Sequence, residues 1–338
     1  MFQLNNRRYT GSKYKLLDWI EELILTYCRG NVFFDVFAGT GVVSDRMKNH
    51  FSHIIINDFL YSNEVIYNAF FSSGKFDAIK LNGYLKKYQA IDSNHIDENY
   101  VSEYYGGKYF SNNDARLIGW IREDIELNKQ FLTVREHNIL LASLLYSMDK
   151  IANTVGHYDA YRKTPEVEDR FYYDLINIDY SNTNFDIYRQ DANELVRKVK
   201  ADVAFVDPPY NSRQYSRFYH VLENITKWEK PELEGVALKP KAENMSDYCK
   251  NSAPAAFADL IANIDAKYIV VTYNNTYNSK STSSKNKITL EEIESILKKK
   301  GSTRIEAKEH PYFNAGKTNL ENHKEYVFIT EVGVHNEY

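Results

Sequence analysis

From Lys13 to Cys28 (KYKLLDWIEELILTYC) apolar residues recur at Leu16, Leu17, Ile20, Leu23, Ile24 and Tyr27, a spacing that predicts an amphipathic helix. A short run rich in strand formers follows, Asn31 to Phe37, and it breaks at Ala38-Gly39-Thr40-Gly41. The pattern turns helical from Val42 to His50 and strand-like again over His53-Ile-Ile-Ile-Asn57, ending at Asp58. Strand, glycine turn, helix and a second strand ending in an acid predict the start of a parallel α/β sheet. From Ser62 to Asp179 the pattern is mostly helical and polar, with one long apolar helix over Val134 to Ile151. Strand-helix alternation resumes at Phe185 to Asp191 and Val203 to Val206. Further strands are expected at Tyr268 to Thr272, Thr303 to Ala307 and Glu325 to Thr330, and helices at Ser216 to Trp228 and Leu290 to Lys299.

The expected organisation is a catalytic α/β domain made of residues 1–61 and 185–338, interrupted by a mainly helical insertion at 62–184. Segment 275–287 (NTYNSKSTSSKNK) reads as a polar loop. Composition adds little to this picture. A chain of 338 residues with 43% hydrophobic and 26% charged residues has ample material for a core. No apolar run reaches the length of a membrane helix, about 18 residues. The opening MFQLNNRRYTGSKYK has no apolar signal segment, and the two cysteines, Cys28 and Cys249, are far apart. Together these predict a cytoplasmic protein without a disulfide framework or a cysteine-rich zinc site. The nine histidines show no zinc-ligand spacing, so no metal is expected. The net charge of −4 weighs against a uniformly basic nucleic-acid surface but says nothing about one cleft. Local basic clusters occur at Arg7, Arg8, Lys13 and Lys15 and at Lys280, Lys285 and Lys287.

Gly39 and Gly41 stand where a strand meets a helix, and their lack of side chains lets a ligand approach the backbone. Asp58 ends the next strand at the spacing expected of an acid that accepts the two hydroxyls of a ribose. The pair points to a nucleoside-containing cofactor and leaves NAD and S-adenosylmethionine both open. The second feature is Phe205-Val-Asp-Pro-Pro-Tyr210, at the end of an apolar run. Pro208 and Pro209 fix φ, remove two backbone donors and keep the preceding residues extended. Asp207 and the Pro208 carbonyl are then two acceptors suited to an NH₂ group, and Tyr210 offers a flat face to a planar base.

These motifs, in this order, resemble the alpha group of DNA adenine methyltransferases, the Dam-type enzymes. Arg8-Tyr-Thr-Gly-Ser-Lys13 is similar to the group's N-terminal motif, Asp35-Val-Phe-Ala-Gly-Thr-Gly41 to its cofactor loop, and Asp207-Pro-Pro-Tyr210 to its catalytic tetrapeptide. The resemblance implies a doubly wound, mostly parallel sheet of the S-adenosylmethionine-dependent methyltransferase type, with the insertion as target-recognition region. It implies that Tyr9 and Lys13 contact the cofactor near its carboxylate. Asp35, Phe37, Ala38 and Gly39 would line its methionine part, Asp58 would hold the ribose and Asp191 would lie near the adenine. Asp207, Pro208 and Tyr210 would bind a flipped-out target base in double-stranded DNA, with Arg213 and Tyr215 as further DNA contacts. A cognate restriction endonuclease is the implied partner.

Three other readings compete. An RNA methyltransferase acting on adenine or guanine amines keeps the tetrapeptide, but such enzymes generally lack the long insertion and this N-terminal motif. A non-catalytic DNA-binding module on the same fold would have no need of intact Gly39, Asp58, Asp207 and Tyr210. A cytosine-amine methyltransferase usually has serine where Asp207 stands.

Overall fold

The structure is a computed structural model that describes every residue except 165, 180, 277–284, 310–322 and 335–338. Lys280 and most of the polar loop expected at 275–287 therefore lie outside the described residues.

The chain divides into two compact units. One comprises Lys13–Phe59, Asn182–Gln214 and Asn244–Tyr338 and holds a seven-stranded sheet. Its strands are β1 (Val32–Asp35), β2 (His53–Asn57), β3 (Asn184–Tyr188), β4 (Lys200–Val206), β5 (Asp265–Asn274), β6 (Gly301–Glu309) and β7 (Lys324–Val332). The spatial order is β3-β2-β1-β4-β5-β7-β6. Pairing is parallel from β3 through β5, while β7 runs antiparallel to both β5 and β6. This is the doubly wound, mostly parallel α/β sheet that the resemblance implied, and its first strands are the parallel start that the alternation predicted. The chain builds outward from β1 to β3 and then returns to place β4 on the other flank of β1. The carboxyl ends of β1 and β4 thus form the switch point where open α/β sheets bind ligands.

Strand periodicity sorts side chains onto the two faces. Phe34, Val36, Ala204, Val206, Val271 and Phe328 pack with Phe257, Leu260, Ile293 and Leu297 into one core. Phe257 and Leu260 belong to a helix, Ala253–Asn263, that the sequence pattern did not predict. The run APAAFADLIAN is too alanine-rich for a strong apolar stripe, but Pro254 in its first turn is a helix-start signal that was available. The alternate strand positions face the other way and include Phe33, Asp35, Phe205 and Thr272, all buried.

The other unit comprises Met1–Ser12, Leu60–Ser181 and Tyr215–Glu243. The segments 1–12 and 215–243, expected with the α/β domain, are counted here. Their contacts explain it: Glu223 accepts from the backbone N–H groups of Tyr61 and Ser62 at 3.0 and 2.8 Å, at the start of helix Tyr61–Phe71. A carboxylate at a helix N-terminus satisfies orphan donors and favours the helix dipole. At the other end of that helix Arg135 donates to the carbonyls of Ala69, Phe70 and Gly74. Arg135 lies on helix Val134–Ile151, which begins with a Thr133–Glu136 capping box. The single helix expected at Ser216 to Trp228 is two, Tyr215–Phe218 and His220–Lys227, separated at Tyr219. Among the described residues no helix is long and apolar enough to cross a membrane.

Candidate active site

The glycine turn and the proline turn stand at the ends of adjacent parallel strands, β1 and β4. Gly39 and Gly41 both adopt the left-handed region, with φ of 54° and 76°, which a side chain would strain. The Gly39 N–H donates to Asp58 Oδ2 at 2.9 Å, and the Ala38 N–H donates to the Asn57 carbonyl at 2.9 Å. Buried Asn57 clamps this rim further, donating to the carbonyls of Val36 and Gln190 and accepting from the Gln190 N–H. It holds the ends of β1, β2 and β3 together and had no distinguishing signal in the sequence.

Asp35 is 1% exposed. Its Oδ2 accepts from Ser44 Oγ at 2.7 Å, while Oδ1 is buried with no hydrogen-bond partner among the described residues. Burial pushes the Asp35 carboxyl up to about 7, and the charges of Asp207 and Asp58 push in the same direction against the Ser44 hydrogen bond. Phe37 is half-buried and meets Tyr248 edge-on, with ring centroids 5.0 Å apart. Asp191 is exposed and caps the short helix Ala192–Leu195, accepting from the Glu194 N–H at 3.2 Å.

The tetrapeptide is more tightly engaged than its sequence suggested. Val206 of β4 pairs with Val271 of β5, so Asp207 falls beside Thr272. Thr272 Oγ1 donates to Asp207 Oδ1 at 2.8 Å, and the Tyr210 hydroxyl donates to the same oxygen at 2.5 Å. The ammonium of Lys13, whose side chain is 6% exposed, pairs with Asp207 Oδ2 at 2.7 Å. Lys13 therefore sits on the tetrapeptide's acid, and it also lies 5.0 Å from the centroid of the Tyr210 ring. Tyr210 packs against Tyr273 with centroids 4.5 Å apart. Burial and the Asp207 charge raise the Tyr210 phenol well above its ordinary range, so it stays protonated and donates. Pro208 is buried and Pro209 half-buried, as a stiff strand-end turn requires. Three donors thus hold the Asp207 carboxylate, and the one acceptor site left for a further donor is on Oδ2, the oxygen that Lys13 pairs with.

Arg213 is half-buried, with its N–H on Asn211 Oδ1 and its carbonyl accepting from Cys249 Sγ. Tyr9 and Tyr215 belong to the helical unit and meet there, with centroids 5.3 Å apart. Tyr9 is also stacked on Tyr219 at 4.7 Å and lies under the Arg7 guanidinium at 5.4 Å. Among the described residues no group of three or more His, Cys, Asp or Glu side chains is placed to hold a metal ion.

A glycine turn answered by an acid and a rigid Asp-Pro-Pro-Tyr segment thus meet at the switch point of the sheet, the kind of place where open α/β sheets bind ligands. Residues 9–296 match the model of the D12 class N6 adenine-specific DNA methyltransferases, and the chain belongs to that family. It is 34% identical over 287 residues to the modification methylase StsI of Streptococcus sanguinis, covering 79% of this chain but 44% of that one. The chain thus spans less than half the length of that relative. It is 28% identical over 340 residues to the type II methyltransferase M.NlaIII of Neisseria lactamica, covering 96% of this chain and 98% of that one. With the type II methyltransferase M.CviAII of Paramecium bursaria Chlorella virus 1 it shares 30% identity over 345 residues, covering 97% and 99%.

Proposed function

We propose that the protein transfers a methyl group from S-adenosylmethionine to the exocyclic amine of adenine in double-stranded DNA, as the modification half of a restriction–modification pair. The observation that carries this reading is the charge of the rim. Asp35, Asp58 and Asp207 converge at the ends of β1, β2 and β4, and a buried oxygen of Asp35 has no partner among the described residues. A cofactor with a sulfonium and an ammonium group suits such a rim. The diphosphate of a dinucleotide would be repelled by it, which favours S-adenosylmethionine over NAD. Asp35, Phe37, Ala38 and Gly39 would hold the methionine part and Asp58 the ribose. Asp191 is given the adenine end on the resemblance alone, since its side chain caps a helix.

The cofactor, when bound, supplies a methyl group that is already strongly electrophilic, so the remaining demand falls on the amine. Asp207 and the Pro208 carbonyl accept its two hydrogens, favour its pyramidal form and stabilise the positive charge that develops on nitrogen. Fixing that amine in line for attack accounts for much of the rest. The target adenine has to leave the duplex at a cost of about a few kcal/mol, and Tyr210 replaces part of the lost stacking. Target recognition is assigned to the helical unit, with Arg213 and Tyr215 as further DNA contacts.

The test is radiolabelled methyl transfer from S-adenosylmethionine to plasmid DNA with RNA as competitor. Label is expected in DNA; label in RNA alone would reject the reading. Tyr210 supplies a second expectation. Tyr210→Phe removes one of the two donors on Asp207 Oδ1 and keeps the ring, so kcat should change by less than about tenfold. Tyr210→Ala also removes base stacking, worth roughly 1–3 kcal/mol, and should lower kcat/KM by about 10- to 100-fold. Equal losses in the two variants would show that the hydroxyl, not the ring, is what matters.

A further inference from the structure

Glu325, the second residue of β7, lies directly opposite Asn274 of β5, on the same face as Thr272 and Asp207. It is 8% exposed, and its Oε2 is buried with no hydrogen-bond partner among the described residues. A buried carboxylate oxygen without a donor costs stability unless a cation is near. The charged and titratable groups around it come from every neighbouring segment. Lys13 precedes helix Leu17–Tyr27, Asp207 and Tyr210 follow β4, and His323 Nε2 lies 4.0 Å from Glu325 Oε1. Lys308 of β6 is the register partner of Glu325, but its ammonium lies over the Trp19 ring at 5.7 Å.

We propose that Glu325 is a positioning residue that shares the Lys13 ammonium with Asp207, so that Lys13 shifts toward Glu325 when Asp207 takes up the substrate's amine. This rests on the proposed reaction. A substrate amine that binds Oδ2 shares that oxygen with Lys13 and weakens its hold, and without a second carboxylate the buried ammonium would be left poorly compensated. With it, the charge of Lys13 remains neutralised and Asp207 is released. The arrangement makes the handover sensitive to protonation. Burial and the Asp207 charge push Glu325 up, the Lys13 ammonium and an Asn274 hydrogen bond oppose them, and the result is about 7. Below that pH Glu325 is neutral and Lys13 stays on Asp207; above it the two acids compete for the lysine.

The test combines a readout that needs no substrate with one that does. In protein carrying ¹³C-labelled lysine, the signal of the Lys13 ε-carbon, assigned by its loss in Lys13→Met, should move as Glu325 ionises, with a midpoint near 7. Glu325→Gln should abolish that step, while His323→Asn and the charge-keeping Glu325→Asp should retain it. At saturating cofactor and DNA, kcat of the wild type should rise through the same pH. Glu325→Gln should lose this limb, with kcat at pH 8 lowered about tenfold and KM for DNA within about twofold. A tenfold loss is less than the hundredfold that about 1 Å of misplacement can cost. A Lys13 step that survives in Glu325→Gln, or vanishes in His323→Asn, overturns the proposal. If the step behaves as expected but the wild type methylates no adenine, the shared lysine stands and the functional reading falls. Should Glu325→Gln not fold, loss of the step in Glu325→Asp serves as the overturning result.

Discussion

Replacing Asp207 with alanine is expected to lower kcat for methyl transfer by about a thousandfold or more. The loss of one preorganised group that stabilises developing charge typically costs about 10²–10³ in kcat, and here the same group also orients the nucleophile. The substitution acts on stability as well. Lys13 and Asp207 form a buried pair at 2.7 Å, with side chains 6% and 16% exposed. Removing one partner of a buried pair costs about 3–5 kcal/mol, and the lower end applies because Glu325 stays close to the lysine. A fall in Tm should therefore accompany the loss of activity. Asp207→Asn separates the two effects. It keeps the shape and one acceptor oxygen, so Tm should fall less while kcat drops by roughly 10- to 100-fold. Wild-type rates in Asp207→Ala would remove the tetrapeptide from the chemistry. The measurements are single-turnover methyl transfer and thermal unfolding of the three proteins.

The second large effect concerns pH and the cofactor. Asp35 is held up to about 7 by burial next to Asp207 and Asp58. A cation bound against it favours the ionised form, so binding below that pH releases a proton. Affinity for S-adenosylmethionine should therefore strengthen as pH rises, by up to about tenfold per unit below 7, and level off above it. Asp35→Asn should flatten the dependence and weaken binding at pH 8 by about 100-fold, near the 2–3 kcal/mol of a charge-assisted hydrogen bond. Stability of the free protein runs in the opposite direction. For acids whose folded values are raised, the contribution is fully present below the ordinary carboxyl range and is lost as pH rises through the folded value. Asp35 and Glu325 should together lower the Tm of the free protein between about pH 4 and 7, with no further fall above that range, and the cofactor should reverse part of that fall. Titration calorimetry in buffers of different ionisation heat reads the proton release directly. An affinity that is constant from pH 6 to 8 would contradict the assignment of Asp35.

The parts of this site that were legible in the sequence are those that local chemistry dictates. Gly39 and Gly41 announced a left-handed turn, and Pro208-Pro209 announced a stiff strand end that aims Asp207. The alternation of apolar runs placed both on a parallel α/β sheet. What could not be read was pairing across the chain. Nothing near Lys13 indicates that its ammonium meets Asp207, because that contact exists only once β4 lies beside β1. Tyr210 looked like an open stacking face, yet its hydroxyl is turned onto Asp207 and its ring onto Tyr273. Glu325 was invisible for the same reason, since one acid at the start of a strand is ordinary until β7 reverses direction and sets it opposite Asn274. The grouping of residues 1–12 and 215–243 with the helical unit likewise depends on long-range contacts such as Glu223 at the start of helix Tyr61–Phe71.

The central claim is that the amine methylated belongs to adenine in duplex DNA. The most direct test incubates the protein with isotopically labelled S-adenosylmethionine and unmethylated duplex DNA, digests the product to nucleosides and identifies the labelled species by mass spectrometry. The account predicts label on N6-methyldeoxyadenosine, absent with Asp207→Ala and confined to a defined sequence context when the DNA is sequenced for modified bases. Label on N4-methyldeoxycytidine, or on nucleosides of an RNA substrate with none in DNA, would contradict it.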